Sequence, residues 1–199
     1  MFSGKIEDYI LFEDKEIIVC RKPAGIAVQN ARIGAMDLES SLKNYLAMQA
    51  GGGRKIPYLA VIHRLDQPVE GILVFGKTPE AAKSLSAQIT AGKMEKIYLA
   101  VTYGKQAEAG KKEKVLEDYL KKDGKSNTSS VVNAHTPGAK KARLSYEVLG
   151  EAVDAISGKK KWLLRIHLDT GRHHQIRVQM AHAGMPLAGD RKYGAGTNV

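Results

Sequence analysis

The sequence predicts an α/β fold of the α+β kind: a mixed, largely antiparallel sheet with flanking helices and long basic loops. Three observations carry that expectation. Short runs rich in β-branched and aromatic residues recur at 16–20, 58–62, 72–75 and 96–103, each of strand length and bounded by turn residues. Two later runs, 143–149 and 161–168, alternate apolar and polar residues as half-buried antiparallel strands do. Helical patterns follow Asp37, Thr78 and Gly171. A chain of 199 residues can bury a real core and fits one domain, taken as residues 1–199.

Taken in order, the run Glu16 to Cys20 leaves through Arg21-Lys22-Pro23-Ala24-Gly25, where Pro and Gly enforce a turn. From Asp37 to Ala50, Leu38, Leu42, Tyr45 and Leu46 fall on one helical face, and Gly51-Gly52-Gly53 stops the helix in a flexible loop. The runs 58–62 and 72–75 are strands whose connection, residues 63–71, is placed at a sheet edge or mouth. Thr78 is an N-cap with Pro79 at the first helical position, and that helix runs to about Ala91 before Gly92. The segment Gly104 to Gly138 is rich in Lys, Gly, Ser and Asn and is expected to hold weak strands within basic loops. The strands 143–149 and 161–168 are joined by a Lys-rich turn, Gly158 to Lys161. A last helix, with Ile176, Met180 and Ala183 on one face, ends at Gly184 ahead of Pro186.

Hydrophobic residues make up 43% and charged residues 26% of the chain, which excludes a disordered composition. The formal charge of +10 draws the chain to polyanions, among which RNA, DNA and anionic membrane surfaces all stay open. No apolar run approaches the roughly 18 residues a membrane helix needs, and residues 1–10 carry acids and no signal core. No membrane partner and a cytoplasmic location are therefore expected. The single Cys20 excludes an intrachain disulfide and is expected to be a small buried hydrophobe. The six His show no His-Glu-x-x-His spacing, and neither a phosphate-loop nor a dinucleotide-binding glycine pattern occurs, so neither metal nor cofactor is expected.

Three constellations could carry chemistry. Asp66, directly after a strand and beside Arg64, is either a turn initiator or a reactive carboxylate. Thr170-Gly171-Arg172-His173-His174-Gln175-Ile176-Arg177 loads a helix start with donors. It is either a solvated basic helix or an anion site in which Arg172 or Arg177 clamps a phosphate or a carboxylate. An Arg177 facing Asp66 would keep that carboxylate charged. Tyr98, on an apolar strand, is either a core tyrosine or a surface on which a nucleobase stacks.

These residues resemble the RluA-type pseudouridine synthases. His63-Arg64-Leu65-Asp66 followed by Gly71-Ile72-Leu73-Val74 is similar to that family's catalytic motif. Glu13-Asp14 through Lys22-Pro23-Ala24-Gly25 resembles its opening motif, and Lys96-Ile97-Tyr98-Leu99-Ala100-Val101 its tyrosine motif. Gly171-Arg172-His173-His174-Gln175-Ile176-Arg177-Val178, with Gly189-Asp190 and Tyr193-Gly194, resembles its last motif. The likeness runs in order from about Tyr9 to Gly194.

The resemblance implies that Asp66 is the catalytic residue, that Tyr98 packs on the target uracil and that Arg177 forms an ion pair with Asp66. It implies RNA contacts at Arg64, His63, Arg172, His174 and Gln175, with Arg64 beside the flipped base. It implies no cofactor, ribosomal or transfer RNA as partner, and a monomer; an N-terminal S4 module is not expected, because the opening motif begins almost at once. The chain departs from the family pattern at Val69-Glu70, where Thr-Ser is usual, and at His173, where Thr is common.

The implied reaction breaks the N1–C1′ bond of uridine, turns the uracil and rejoins it through C5 with loss of the C5 proton. It is redox-neutral. Asp66 either bonds to C1′, as a retaining glycosidase carboxylate does, or takes the 2′ proton. The Lys-rich stretches Lys111 to Lys125 and Lys159 to Lys161 are expected to touch phosphates. Two competing readings are a catalytically silent RNA-binding module of the same fold and a glycoside hydrolase acting on small sugars. The +10 charge and the lack of an evident second acid disfavour the hydrolase.

Overall fold

In the computed structural model, residues 3–30, 36–52, 56–104 and 113–194 are described. Of the expectations above, Gly53, Lys111 and part of the basic segment after Gly104 lie outside them. The chain divides into two compact units, Met1–Lys93 and Met94–Val199.

The first unit is a four-stranded sheet with two helices. A short 3-10 turn, Ile6–Tyr9, leads into β1 (Ile10–Glu13), and β2 (Ile17–Lys22), α1 (Leu38–Gln49), β3 (Ala60–Val61), β4 (Gly71–Gly76) and α2 (Pro79–Thr90) follow. The strand order is β1-β2-β4-β3. In β2 the alternate positions Ile18, Cys20 and Lys22 point inward and are buried, as period-two geometry requires. Leu73 and Phe75 of β4 join Ile18 and Cys20 in one core with Leu38, Leu42 and Leu46 of α1. The helix starts where Asp37 accepts the Ser40 amide at 2.7 Å, so a local cap fixes the end of the apolar stripe. Thr78 caps α2 in the same way through Ala81 N at 3.1 Å.

The second unit is a five-stranded sheet covered by one helix. Its elements are β5 (Ile97–Tyr103), β6 (Lys114–Asp123), β7 (Thr128–Val132), β8 (Lys140–Val153), β9 (Lys160–Leu168) and α3 (Gln175–His182). The order is β5-β9-β8-β6-β7. Inward residues Leu144, Tyr146, Trp162, Leu164 and Ile166 pack with Met180 of α3. A register shift between Val148 and Gly150 lets β8 continue for 14 residues, well beyond the expected 143–149.

Two features differ from the expectation. The strands form two sheets, and each named pairing within them is antiparallel. For the pairs consecutive in the chain, β1–β2, β3–β4, β6–β7 and β8–β9, the reason is in the connections: parallel neighbours need a crossover of a dozen or more residues, whereas short links such as 124–127 return the chain directly. The basic segment expected to hold weak strands carries the ten-residue β6. Its cross-strand partners on β7 and β8, which a sequence window does not contain, supply the stabilisation.

Candidate functional site

The expected site residues divide between the units, with His63, Arg64 and Asp66 in the first and Tyr98, Arg172, His174, Gln175 and Arg177 in the second.

In the first unit, Asp66 lies on the loop between β3 and β4, half-buried, and a buried lysine holds that loop. Lys22 is fully buried, and its ammonium donates to three backbone carbonyls: Pro23 O at 3.0 Å, Ile26 O at 2.7 Å and Gln67 O at 3.0 Å. Burial pushes its pKa below the ordinary lysine value, against the pull of Asp66 and Glu70. Gly25, in the left-handed region at φ +84°, donates its amide to Gln67 O at 2.9 Å, and Gln67 Nε2 donates back to Gly25 O at 3.0 Å. Val69 N closes the turn on Asp66 O at 3.0 Å. The Lys-Pro-Ala-Gly turn and the residue after Asp66 are thus one hydrogen-bonded unit.

The rest of the motif is fixed by packing. Leu65 leans on the core, and a Cβ at residue 71 would sit 2.8 Å from Leu65 Cδ1, so Gly71 is what lets Leu65 approach. His63 Nε2 accepts the Val74 amide at 3.3 Å, which turns that nitrogen toward β4. The Arg64 guanidinium reaches the Gln29 side chain, which bonds Glu39 in the first turn of α1.

In the second unit, Tyr98 sits on the α3 face of β5, packed against the core and partly exposed. Arg177 makes a two-pronged ion pair with Asp190, Nε to Oδ2 at 2.8 Å and Nη2 to Oδ1 at 2.7 Å. Its guanidinium carbon lies 5.0 Å from the Tyr193 ring centroid. Burial works to raise the Asp190 pKa, yet the Arg177 bonds and the amides of Lys192 and Tyr193 bring it below the ordinary value.

The loop before α3 is organised by Gln175. That side chain is 3% exposed; its Oε1 accepts Thr170 Oγ1 at 2.8 Å and Arg172 N at 2.9 Å, and its Nε2 donates to Arg143 O at 3.0 Å. Its amide is spent on the protein, so it positions Arg172 rather than reaching outward.

His174 adopts φ 53° at the start of α3, an uncommon conformation for a non-glycine residue and one that clusters at functional sites. Its Nδ1 pairs with Tyr193 Oη at 2.7 Å. Tyr193 Oη also accepts the Ser129 amide at 2.8 Å, so one hydroxyl joins β7 to the start of α3. His173 stacks on His174 with centroids 3.7 Å apart and bonds Ser129 Oγ at 2.9 Å and Asn127 Oδ1 at 3.1 Å. The β6–β7 turn is thereby tied to the start of α3.

Sequence reasoning assigned no role to Lys22, Asp190 or Tyr193. For Lys22 the signal existed, since it shares the inward parity of Ile18 and Cys20. For Asp190 and Tyr193 nothing local marks the side chain as a partner of Arg177. Among the described residues no three His, Cys, Asp or Glu side chains gather as a metal site, and no helix is long and apolar enough to cross a membrane.

The family profile described as RNA pseudouridylate synthase matches residues 16–182. The chain is 34% identical over 190 residues to ribosomal large subunit pseudouridine synthase D of Pseudomonas aeruginosa, covering 95% of this chain and 54% of that protein. It is 33% identical over 189 residues to tRNA pseudouridine synthase C of Haemophilus ducreyi, covering 93% of this chain and 73% of that one. The chain spans about half the length of several large-subunit relatives it matches. The solved structure of human RNA pseudouridylate synthase domain containing 1 superposes with a TM-score of 0.75 at 21% identity, over 98% of this chain and 73% of that one.

Proposed function

This chain belongs to the RNA pseudouridylate synthase family, and we propose that it isomerises specific uridines of structured ribosomal or transfer RNA to pseudouridine, with Asp66 as the catalytic carboxylate. The observation that carries the reading is the Asp66 loop itself. It lies within the matched residues 16–182, and its following residue is pinned by Lys22 and Gly25. Catalysis of this kind needs a carboxylate whose position is fixed before the substrate arrives.

Asp66 acts on the ribose as the N1–C1′ bond breaks. Uracil departs as a stabilised anion, so a single carboxylate suffices where a glycosidase needs two. Tyr98 offers its partly exposed ring to the uracil, and Arg177 supplies the guanidinium of the reaction. His63, Arg64, Arg172 and His174 lie along the RNA path, with Gln175 behind Arg172. The target base is unstacked first at a cost of a few kcal/mol, which favours loops and mismatches. Lys114, Lys121, Lys122 and Lys125, together with Lys159 to Lys161, add phosphate contacts that carry no sequence preference. The enzyme works in the cytoplasm as a monomer, without cofactor.

The test is Asp66→Asn in the purified chain, with pseudouridine mapped in total RNA. Expected is loss of pseudouridine formation with the thermal melt and RNA binding retained. Normal turnover by the variant would overturn the assignment.

A further inference from the structure

We infer that Lys96 and Arg172 together seat one phosphodiester of the RNA, on the face of β5 that carries Tyr98. This deepens the proposed function and rests on it. The first argument is strand parity. Lys96, Tyr98 and Ala100 are partly buried on one face, while Ile97 and Leu99 between them are 56% and 67% exposed on the other. Leu168 N donates to Lys96 O at 2.9 Å and fixes the backbone there, and the Lys96 ammonium lies 3.7 Å from where a Cβ on Gly171 would stand. It therefore sits over the residue that precedes Arg172. Arg172 is anchored through its amide on Gln175 and through Nε on Lys141 O at 2.8 Å, which leaves its two terminal nitrogens for a ligand.

The second argument is the contrast with the buried Lys22 ammonium. Lys22 is satisfied by three carbonyls. The Lys96 ammonium has no hydrogen bond or ion pair among the described residues, although burial is the main influence on it. Asp169 is the carboxylate that acts on it, but Arg143 already holds Asp169, with His167 Nδ1 at 3.5 Å. Burial and the neighbouring Arg172 push the Lys96 pKa down, and Asp169 offsets only part of this. A desolvated cation beside a second cation is unfavourable in the free protein, and an anion between them reverses the sign. A phosphodiester has the charge and the two non-bridging oxygens to meet both groups. Of the two, Arg172 was already expected on RNA; Lys96 is new, and so is their sharing of one phosphate.

The experiment is binding of a labelled oligouridylate across a salt series by the wild-type chain, Lys96→Met, Lys96→Arg and Arg172→Gln. Lys96→Met should bind roughly tenfold more weakly and lose about 0.7 from the slope of log affinity against log salt, as expected for one contact to a single strand. Lys96→Arg should restore the slope and abolish the loss of affinity at alkaline pH that a titrating lysine gives. The double variant should lose less than the product of the single losses, since both cations hold one phosphate. An unchanged slope in Lys96→Met, weaker binding that Lys96→Arg does not rescue, or fully multiplicative losses would each overturn the shared seat. No binding by the wild-type chain would overturn the functional reading itself, and is told apart by that result.

Discussion

Replacing Lys22 with Met keeps the apolar stem and removes only the ammonium, so it isolates what the clamp contributes. Of the three carbonyls it serves, Gln67 O keeps the Gly25 amide at 2.9 Å. Among the described residues Ile26 O and Pro23 O lose the one donor they have, Ile26 being 5% exposed and Pro23 half-buried. A dry carbonyl costs about 1–3 kcal/mol, and Pro23 O recovers part of that from water. Against this stands the relief of no longer burying a charge, which is worth several kcal/mol in an apolar site but less where three dipoles already solvate it. The net expectation is a loss of about 2 kcal/mol, which moves a urea midpoint down by roughly 1 M for a slope near 2 kcal/mol/M. Because Gln67 adjoins Asp66, kcat should fall as well while RNA affinity holds, with the deficit persisting in conditions where the variant is fully folded. A variant with wild-type midpoint and wild-type kcat would refute the clamp. A lowered midpoint with unchanged kcat would confine Lys22 to stability and separate it from Asp66.

Two further outcomes follow from buried groups. Asp190→Asn breaks the two-pronged ion pair with Arg177, whose side chain is 18% exposed against 4% for Asp190, and should cost about 3 kcal/mol by removing one charge of a largely buried pair. The Asp190 carboxyl titrates below the ordinary aspartate value when folded, so its contribution is present at neutral pH and is lost as pH falls through that depressed value. Acid melts should therefore show a pH-dependent loss in the wild-type chain that is diminished in the variant, and parallel curves would count against the pairing. Cys20 is fully buried with its thiol pushed up to about 12, so a disulfide reagent should leave it untouched at neutral pH until denaturant unfolds the first unit. Labelling at the rate of a free thiol would show the core of that unit to be open.

Much of the fold is legible because its signals are local. Thr78-Pro79 at the start of α2 and Asp37 ahead of Leu38, Leu42 and Leu46 are cap and stripe within one turn of each other, and the structure places both helices within a residue of the expected bounds. The two alternating runs become β8 and β9 for the same reason. The basic stretch after Gly104 was harder, because β6 is specified by Leu116 and Leu144 meeting across strands and by Gln179 of α3 donating to Asp118 at 2.8 Å. None of those partners is near in sequence. His173 is a similar case. Its place as a departure from the family pattern is visible in the sequence, but its partners Asn127 and Ser129 are some 45 residues away.

Taken alone, the sequence determined the α/β class, the helices with their caps, the attraction to polyanions and the family, because periodicity, composition and ordered motifs are properties of the chain itself. It also picked out Asp66, Tyr98 and Arg177 by residue type and motif. The tertiary structure decided what each polar group spends its hydrogen bonds on. Lys22 is a buried clamp where the Lys96 ammonium has no hydrogen bond or ion pair among the described residues, and Gln175 faces inward where Arg172 faces out. Arg177 carries Asp190 on its guanidinium. Desolvation and donor–acceptor matching depend on atoms brought together from distant positions, and no window of sequence contains both halves of such a pair.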